Sequence, residues 1–302
     1  MTSVTINKRD FNLAGLLFKP SKPSSDKSPA IIVVHPGGGV KEQTASIYSR
    51  RFAELGYVTL TFDASYQGES GGKPHFLEDP EARTTDVNAA VDYLENLNEV
   101  DSNRIAVFGI CAGGGYSVCA AKTDYRIKAV ATASMVNIGD GFRRGWYGKD
   151  DPAKQVDTLK FIAQSIQAEN GGKQPEYLPY VPEKPDKDTP PDMAEASDYY
   201  RTPRAQHPRS ENKMSMRSPP LISRFDAFHL VETFLQAPLL VIAGDKAGSA
   251  WHSTELAERL GSKRAQQLIV PGATHMDFYD QPGPVEKAVS AADAFFKSTF
   301  GL

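Results

Sequence analysis

The stretch that most constrains this chain is Arg104-Ile-Ala-Val-Phe-Gly-Ile-Cys111-Ala-Gly-Gly-Gly-Tyr116. Arg104 to Phe108 is β-branched and aromatic, which predicts a buried strand. Ala112 to Ala121 is small and apolar and predicts a helix. Between them glycines flank a cysteine in the pattern Gly109-x-Cys111-x-Gly113. Strand, sharp turn and helix form the setting of a nucleophile elbow, here with sulfur where the hydroxyl usually sits. The glycines follow from sterics, because a β-carbon two residues either side of the nucleophile would strike the neighbouring strand or helix. The helix points its N-terminus at the sulfur, which is expected to favour the thiolate. Neither Gly-x-Gly-x-x-Gly nor a Gly-Lys-Ser/Thr ending is present, which argues against a phosphate-binding loop. The competing reading is an inert cysteine buried in a glycine-rich turn, so the rest of the chain must decide.

Upstream, Thr2 to Ile6 and Leu13 to Phe18 read as two antiparallel edge strands, followed by a Ser/Pro/Lys loop from Ser21 to Pro29. Ala30 to Val34 is a continuous apolar run suited to the middle of a parallel sheet. It ends in His35-Pro36-Gly37-Gly38-Gly39, a loop whose backbone N–H groups can face inward. His35 is expected to brace that loop. Thr44 to Leu55 reads as a helix and Tyr57 to Phe62 as a strand, with Asp63 expected to tie down its own glycine turn. Asp79-Pro80 opens a helix with Asp as N-cap and Pro at the first position. Ile127 to Ala133 is the next strand. Strand thus alternates with helix over residues 30 to 135, which predicts an α/β fold with a mostly parallel, doubly wound sheet.

The rhythm breaks over 137–236. Asp150 to Glu169 looks helical, Gly171 to Pro191 looks like a surface arm, and Leu221 to Phe234 returns to a helical pattern. This stretch is read as a long helical lid set into the sheet domain, with the core formed by 1–136 and 237–302. Pro238 to Ala243, Thr254 to Leu260, Gln266 to Val270 and Val285 to Phe300 then read as strand, helix, strand and helix.

Three groups stand at three strand ends in the order Cys111, Asp245, His275. Nucleophile, acid, histidine is the order found in α/β-hydrolases. In that scheme His275 takes the thiol proton and Asp245 fixes the imidazole. Asp140 is the alternative acid. Ala112 N–H, with one N–H from Gly38, Gly39 or Val40, is expected to hold an oxyanion. His75, His207, His229 and His252 lack a comparable setting, and Tyr116 reads as packing.

Composition narrows the classes. The net charge of −3 gives no electrostatic case for nucleic acid. No apolar run reaches spanning length, and Met1 to Asp10 carries no signal-peptide core, so no membrane role is expected. Cys111 and Cys119 are the whole thiol inventory. On one helix they stand about 12 Å apart at about 1.5 Å per residue, too far to bridge. A reducing, cytoplasmic setting is therefore expected. No His-x-x-x-His or Cys-x-x-Cys pair suggests a metal, and no cofactor is implied.

Three pieces of the chain, His35-Pro-Gly-Gly-Gly-Val-Lys-Glu-Gln43, Phe62-Asp-Ala-Ser-Tyr-Gln-Gly-Glu-Ser70 and Gly109 to Tyr116, resemble a cysteine-nucleophile branch of the α/β-hydrolases. That branch includes fungal polyketide transferases and thiohydrolases, and there is a looser likeness to dienelactone hydrolase. The resemblance implies a Cys-His-Asp triad acting on an acyl thioester or ester, with a carrier protein or polyketide synthase as a possible donor. Trp146, Tyr147, Phe225, Phe228 and Phe234 either line an acyl pocket or form the lid's own core. Arg143 and Arg144 either meet a carrier arm or are simply solvated. The functional alternative is a protein of this fold that binds a polyketide-type molecule without acylation, steering its cyclisation or sensing it.

Overall fold

The computed structural model describes residues 1–21 and 27–302; residues 22–26 of the expected Ser/Pro/Lys loop lie outside the described residues. An eight-stranded sheet runs in the order β1-β2-β4-β3-β5-β6-β9-β10. The hairpin of β1 (Thr2–Lys8) and β2 (Phe11–Phe18) is its antiparallel edge. The remaining strands, β3 (Ser28–Val34), β4 (Val58–Phe62), β5 (Val100–Ile110), β6 (Ile127–Ala133), β9 (Leu239–Gly244) and β10 (Ala265–Val270), are mutually parallel. The order reverses at β3, with β4 on one side and β5 on the other. Crevices at such reversals are where open α/β sheets place their sites.

Helices cover both faces. The helices are α1 (Thr44–Glu54), α2 (Pro80–Glu95), α3 (Ala112–Ala121), α9 (Ala250–Leu260) and α11 (Pro282–Phe300). Two apolar clusters result, one on each side of the sheet. Ile32, Val34 and Val107 belong to one, and Ile31, Val33 and Phe108 to the other. This is why the central strands are continuously apolar rather than alternating. Helix α2 starts where its sequence says it should: the Asp79 carboxylate accepts from the N–H groups of Glu81 (3.0 Å) and Ala82 (3.3 Å). Such a cap is worth about 1 kcal/mol.

Between β6 and β9 the chain leaves the sheet. It forms α4 (Ile138–Arg144), α5 (Gln155–Asn170), β7 (Tyr177–Leu178), α6 (Pro191–Arg201), β8 (Met214–Ser215), α7 (Ser218–Arg224) and α8 (Val231–Phe234). The single helical pattern expected over Leu221 to Phe234 is two helices. Asp226 Oδ1 accepts from Phe228 N–H, and Leu230 takes a left-handed φ of 53°, which ends one helix and starts another. Phe225 and Phe228 are buried with the sheet residues of the first cluster, and only Trp146 of the expected pocket aromatics lines a cavity beside Cys111. Tyr147 and Phe234 are exposed. A short helix not anticipated from sequence, α10 (Asp277–Asp280), follows His275.

Candidate active site

Cys111 sits where β5 gives way to α3, with φ 53° and ψ −126°. A non-glycine residue held there stores roughly 1–3 kcal/mol of strain. The residues two before and two after it must be glycine. A β-carbon on Gly113 would lie 2.3 Å from the Val34 carbonyl oxygen, and one on Gly109 would lie 2.5 Å from Gly114 Cα. The elbow is therefore wedged between β3 and its own helix.

The amides of Ala112 and Gly37 face the sulfur. Ala112 was expected from sequence; Gly37 stands one residue before the expected group. Gly39 N–H bonds back to Pro36 O (3.3 Å), and Val40 N–H goes to Gln43 Oε1 (3.1 Å), so both are spent inside the loop. Gly38 has φ 69° and lies under the Tyr180 ring, and its carbonyl accepts from Ser210 Oγ at 2.7 Å. His35 braces this loop as expected. Its Nδ1 meets Pro36 O at 2.7 Å and its Nε2 accepts from Ala64 N–H at 3.1 Å. Burial and the adjacent Arg83 hold its pKa well below the ordinary value, so it stays neutral. Asp63 ties its own turn, accepting from Lys41 Nζ (2.7 Å) and Glu69 N–H (2.8 Å).

His275 lies 2% exposed on the loop after β10. Its Nδ1 is 2.6 Å from Ser249 Oγ, and its Nε2 is 3.3 Å from the Tyr279 hydroxyl. The expected acid is not there. Asp245 directly follows the glycine that ends β9, and its exposed carboxylate accepts from Gly272 N–H at 2.7 Å. Asp140 binds Arg143 and Asn137. The carboxylate that does approach His275 is Asp192, at the start of α6. Its Oδ1 accepts from the His275 backbone N–H (3.3 Å), and its Oδ2 accepts from Trp146 Nε1 and Gly248 N–H (2.7 Å each). The Trp146 ring packs edge-on to His275 with centroids 4.9 Å apart.

Electrostatics set the resting protonation. Burial pushes the Cys111 thiol up, against the pull of the Tyr279 hydroxyl and the two amides. Burial likewise lowers His275 to about 4, with the Asp192 charge working the other way. Thiol and imidazole are thus both neutral near neutral pH. The thiolate expected from the helix N-terminus does not prevail, because burial outweighs a helix-end effect of about 1 kcal/mol.

Cys111, His275 and Tyr279 share a cavity of about 280 Å³, roofed by side chains of the segment between β6 and β9. Its walls include Val136, Phe142, Trp146, Tyr180, Met193 and Ile222, and His275 is the only ionisable side chain lining it besides the thiol and the tyrosines. Tyr180 is anchored from behind through its hydroxyl to Glu78 (2.8 Å), which also accepts from Tyr116 (2.6 Å) and pairs with Arg83. Arg143 is spent on Asp140 and the carbonyls of Ser223 and Phe225, and Arg144 on Glu255 and the Trp251 ring. Both cysteines are free thiols. Among the described residues no His/Cys/Asp/Glu cluster is placed to hold a metal, and no helix is long and apolar enough to cross a membrane.

Known proteins agree with this architecture. A profile of the dienelactone hydrolase family matches residues 13–173. The uncharacterised protein YcjY of Escherichia coli (strain K12) is 42% identical over 97% of this chain and 96% of its own. The crystal structure of hypothetical protein PA2218 from Pseudomonas aeruginosa superposes with a TM-score of 0.92 at 33% identity, covering 99% of this chain and 93% of that one. The alpha/beta hydrolase GrgF from Penicillium sp. sh18, a polyketide transferase, gives a TM-score of 0.82 at 21% identity, over 100% and 99% of the two chains. The fold is that of the α/β-hydrolases, and this chain belongs to the dienelactone hydrolase family.

Proposed function

We propose that the protein is a cysteine-dependent acyl hydrolase or acyltransferase acting on a thioester or ester through an acyl-enzyme on Cys111. One observation carries the reading above all others. The Cys111 sulfur is held in a strained elbow beneath two backbone amides, in one apolar cavity with His275. That is the geometry acyl transfer needs.

In this reading the Cys111 proton passes to His275 and Sγ attacks the acyl carbonyl. The amides of Ala112 and Gly37 take the developing negative charge. The C–S or C–O bond to the leaving group then breaks, and the leaving group takes the proton from His275. Water or an alcohol next attacks the acyl-cysteine, gives its proton to His275, and expels the thiolate, which is reprotonated. With Nδ1–H donated to Ser249, Nε2 is left as the base. Asp192 supplies negative charge beside the imidazolium without touching the ring, while Ser249 takes the ring-orienting part expected of Asp245. A cavity of about 280 Å³ accepts a compact apolar acyl end. The naming of the Penicillium relative as a polyketide transferase suggests that the chain is of polyketide type, delivered as a carrier-bound or free thioester.

The test is intact mass after incubation with the N-acetylcysteamine thioester of octanoate, for wild type and Cys111→Ala. An acyl adduct on the wild type alone is expected, and added alcohols then separate transfer from hydrolysis. A second reading, ligand binding without acylation, is favoured by the protonated resting thiol. It requires no adduct and no thiol release across chain lengths, together with thermal stabilisation by the same acyl compounds.

A further inference from the structure

The thiol and imidazole assigned to this chemistry make no direct hydrogen bond. The Tyr279 hydroxyl lies 3.3 Å from His275 Nε2 and lines the same cavity as the Cys111 sulfur, close enough to act on the charge of the thiol. Its position is fixed from two directions. Tyr279 follows His275 by four residues, and the short helix α10 turns its side chain back to the imidazole. Its ring is then boxed edge-on by Tyr199 (centroids 5.2 Å apart) and Tyr200 (6.3 Å). Phenylalanine would fill that box equally well. The hydroxyl is the part that packing does not explain, and it meets the imidazole in the cavity that also holds the thiol. The neighbouring Tyr200 hydroxyl lines the same cavity but has no hydrogen bond to His275.

Resting on the acyl-transfer reading and deepening it, we propose that Tyr279 is a catalytic residue whose hydroxyl relays the Cys111 proton to His275. The step balances as a concerted exchange. The phenolic O–H bond breaks as its proton moves to Nε2, while the Sγ–H bond breaks and that proton moves to the phenol oxygen. Tyr279 ends as it began, sulfur keeps the electron pair of its S–H bond, and the imidazole becomes imidazolium. No free phenolate forms, which matters because burial and the adjacent sulfur both oppose one.

The experiment measures the rate at which iodoacetamide alkylates Cys111 at neutral pH, in a Cys119→Ser background. Tyr279→Phe is expected to slow alkylation by about tenfold or more, and to lower kcat on the octanoyl thioester by about a hundredfold with KM little changed. A purely structural tyrosine would change KM or thermal stability and leave thiol reactivity alone. Alkylation in mixtures of H2O and D2O provides the second readout. Two protons in flight give a curved dependence on deuterium fraction in the wild type, and this measurement stands even if Tyr279→Phe does not fold. A linear dependence in the wild type, or a Tyr279→Phe variant that alkylates as fast as its parent, overturns the relay. Alkylation needs no acyl substrate. An absent acyl-enzyme alongside a Tyr279-dependent thiol therefore sinks the proposed reaction and leaves the relay, while the reverse pattern does the opposite.

Discussion

The elbow and the segment between β6 and β9 meet at one cavity, yet they hold their side chains by different means. At the elbow, backbone sterics do the holding. Cys111 is trapped at positive φ because Gly109 and Gly113 let β3, β5 and α3 close to within van der Waals contact. Across the cavity, side-chain networks do it. Asp192 is fixed by Trp146 and Gly248, and Tyr180 by Glu78, with partners dozens of residues apart in the chain. Backbone traps tolerate almost no change in the trapped residue's neighbours. Networks tolerate conservative exchange but fail in function when a charge is lost.

That contrast can be broken at its strong end first. Gly113→Ala puts a β-carbon 2.3 Å from the Val34 carbonyl. It is expected to cost about 3 kcal/mol or more in chemical denaturation; a variant as stable as its parent would mean the elbow is not sterically locked. Next comes the acid. Asp192→Asn keeps an acceptor for Trp146 and Gly248 but removes the charge beside His275 and the acceptor for its backbone N–H, so kcat is expected to fall about ten- to hundredfold for a stability loss of only about 1–2 kcal/mol. Asp245→Asn, on an exposed carboxylate that only caps Gly272 N–H, is expected to change kcat by less than about twofold. Equal effects at the two positions would erase the distinction.

The smallest effect is a pH shift. Burial raises the Cys111 thiol, so a smaller fraction is thiolate at neutral pH than in a free cysteine. Its alkylation rate should keep rising with pH beyond the free-thiol value of about 8.5. A midpoint at or below that value would show that the helix end and the two amides outweigh burial.

The same division explains what the sequence could say. Strand rhythm, the glycine elbow, the His35 brace, the Asp63 turn and the Asp79 cap are all local, and each leaves residue types at fixed offsets. The acid is not local. Asp245 occupies the strand end where an acid is expected, but sitting directly after Gly244 turns it toward Gly272. Ser249, four residues on, is what reaches His275, and a lone serine carries no signal. Asp192 lies after Pro190-Pro191, a pattern that announces a helix start and nothing about histidine. The shift from Gly38 to Gly37 depends on a loop bond, Gly39 to Pro36, that composition does not specify. Tyr279 was legible in principle, since His275 and Tyr279 are spaced for neighbouring turns of a helix. It was missed because the helix carrying it has only four residues.

Phe225, Ala227 and Phe228 lie in the stretch read as a lid, yet they are buried with the sheet's own side chains. Phe225 packs on Tyr116 of the nucleophile's helix at 5.8 Å, and Ser218 and Tyr180 hold opposite parts of Glu78. Cutting the chain down to its two sheet-forming pieces would therefore strip the support from behind α3 and leave buried Glu78 with only Tyr116 and Arg83 as partners. The long middle segment is a keystone rather than a detachable cover, so any miniaturised or domain-swapped version of this protein must carry residues 218–235 along with the sheet.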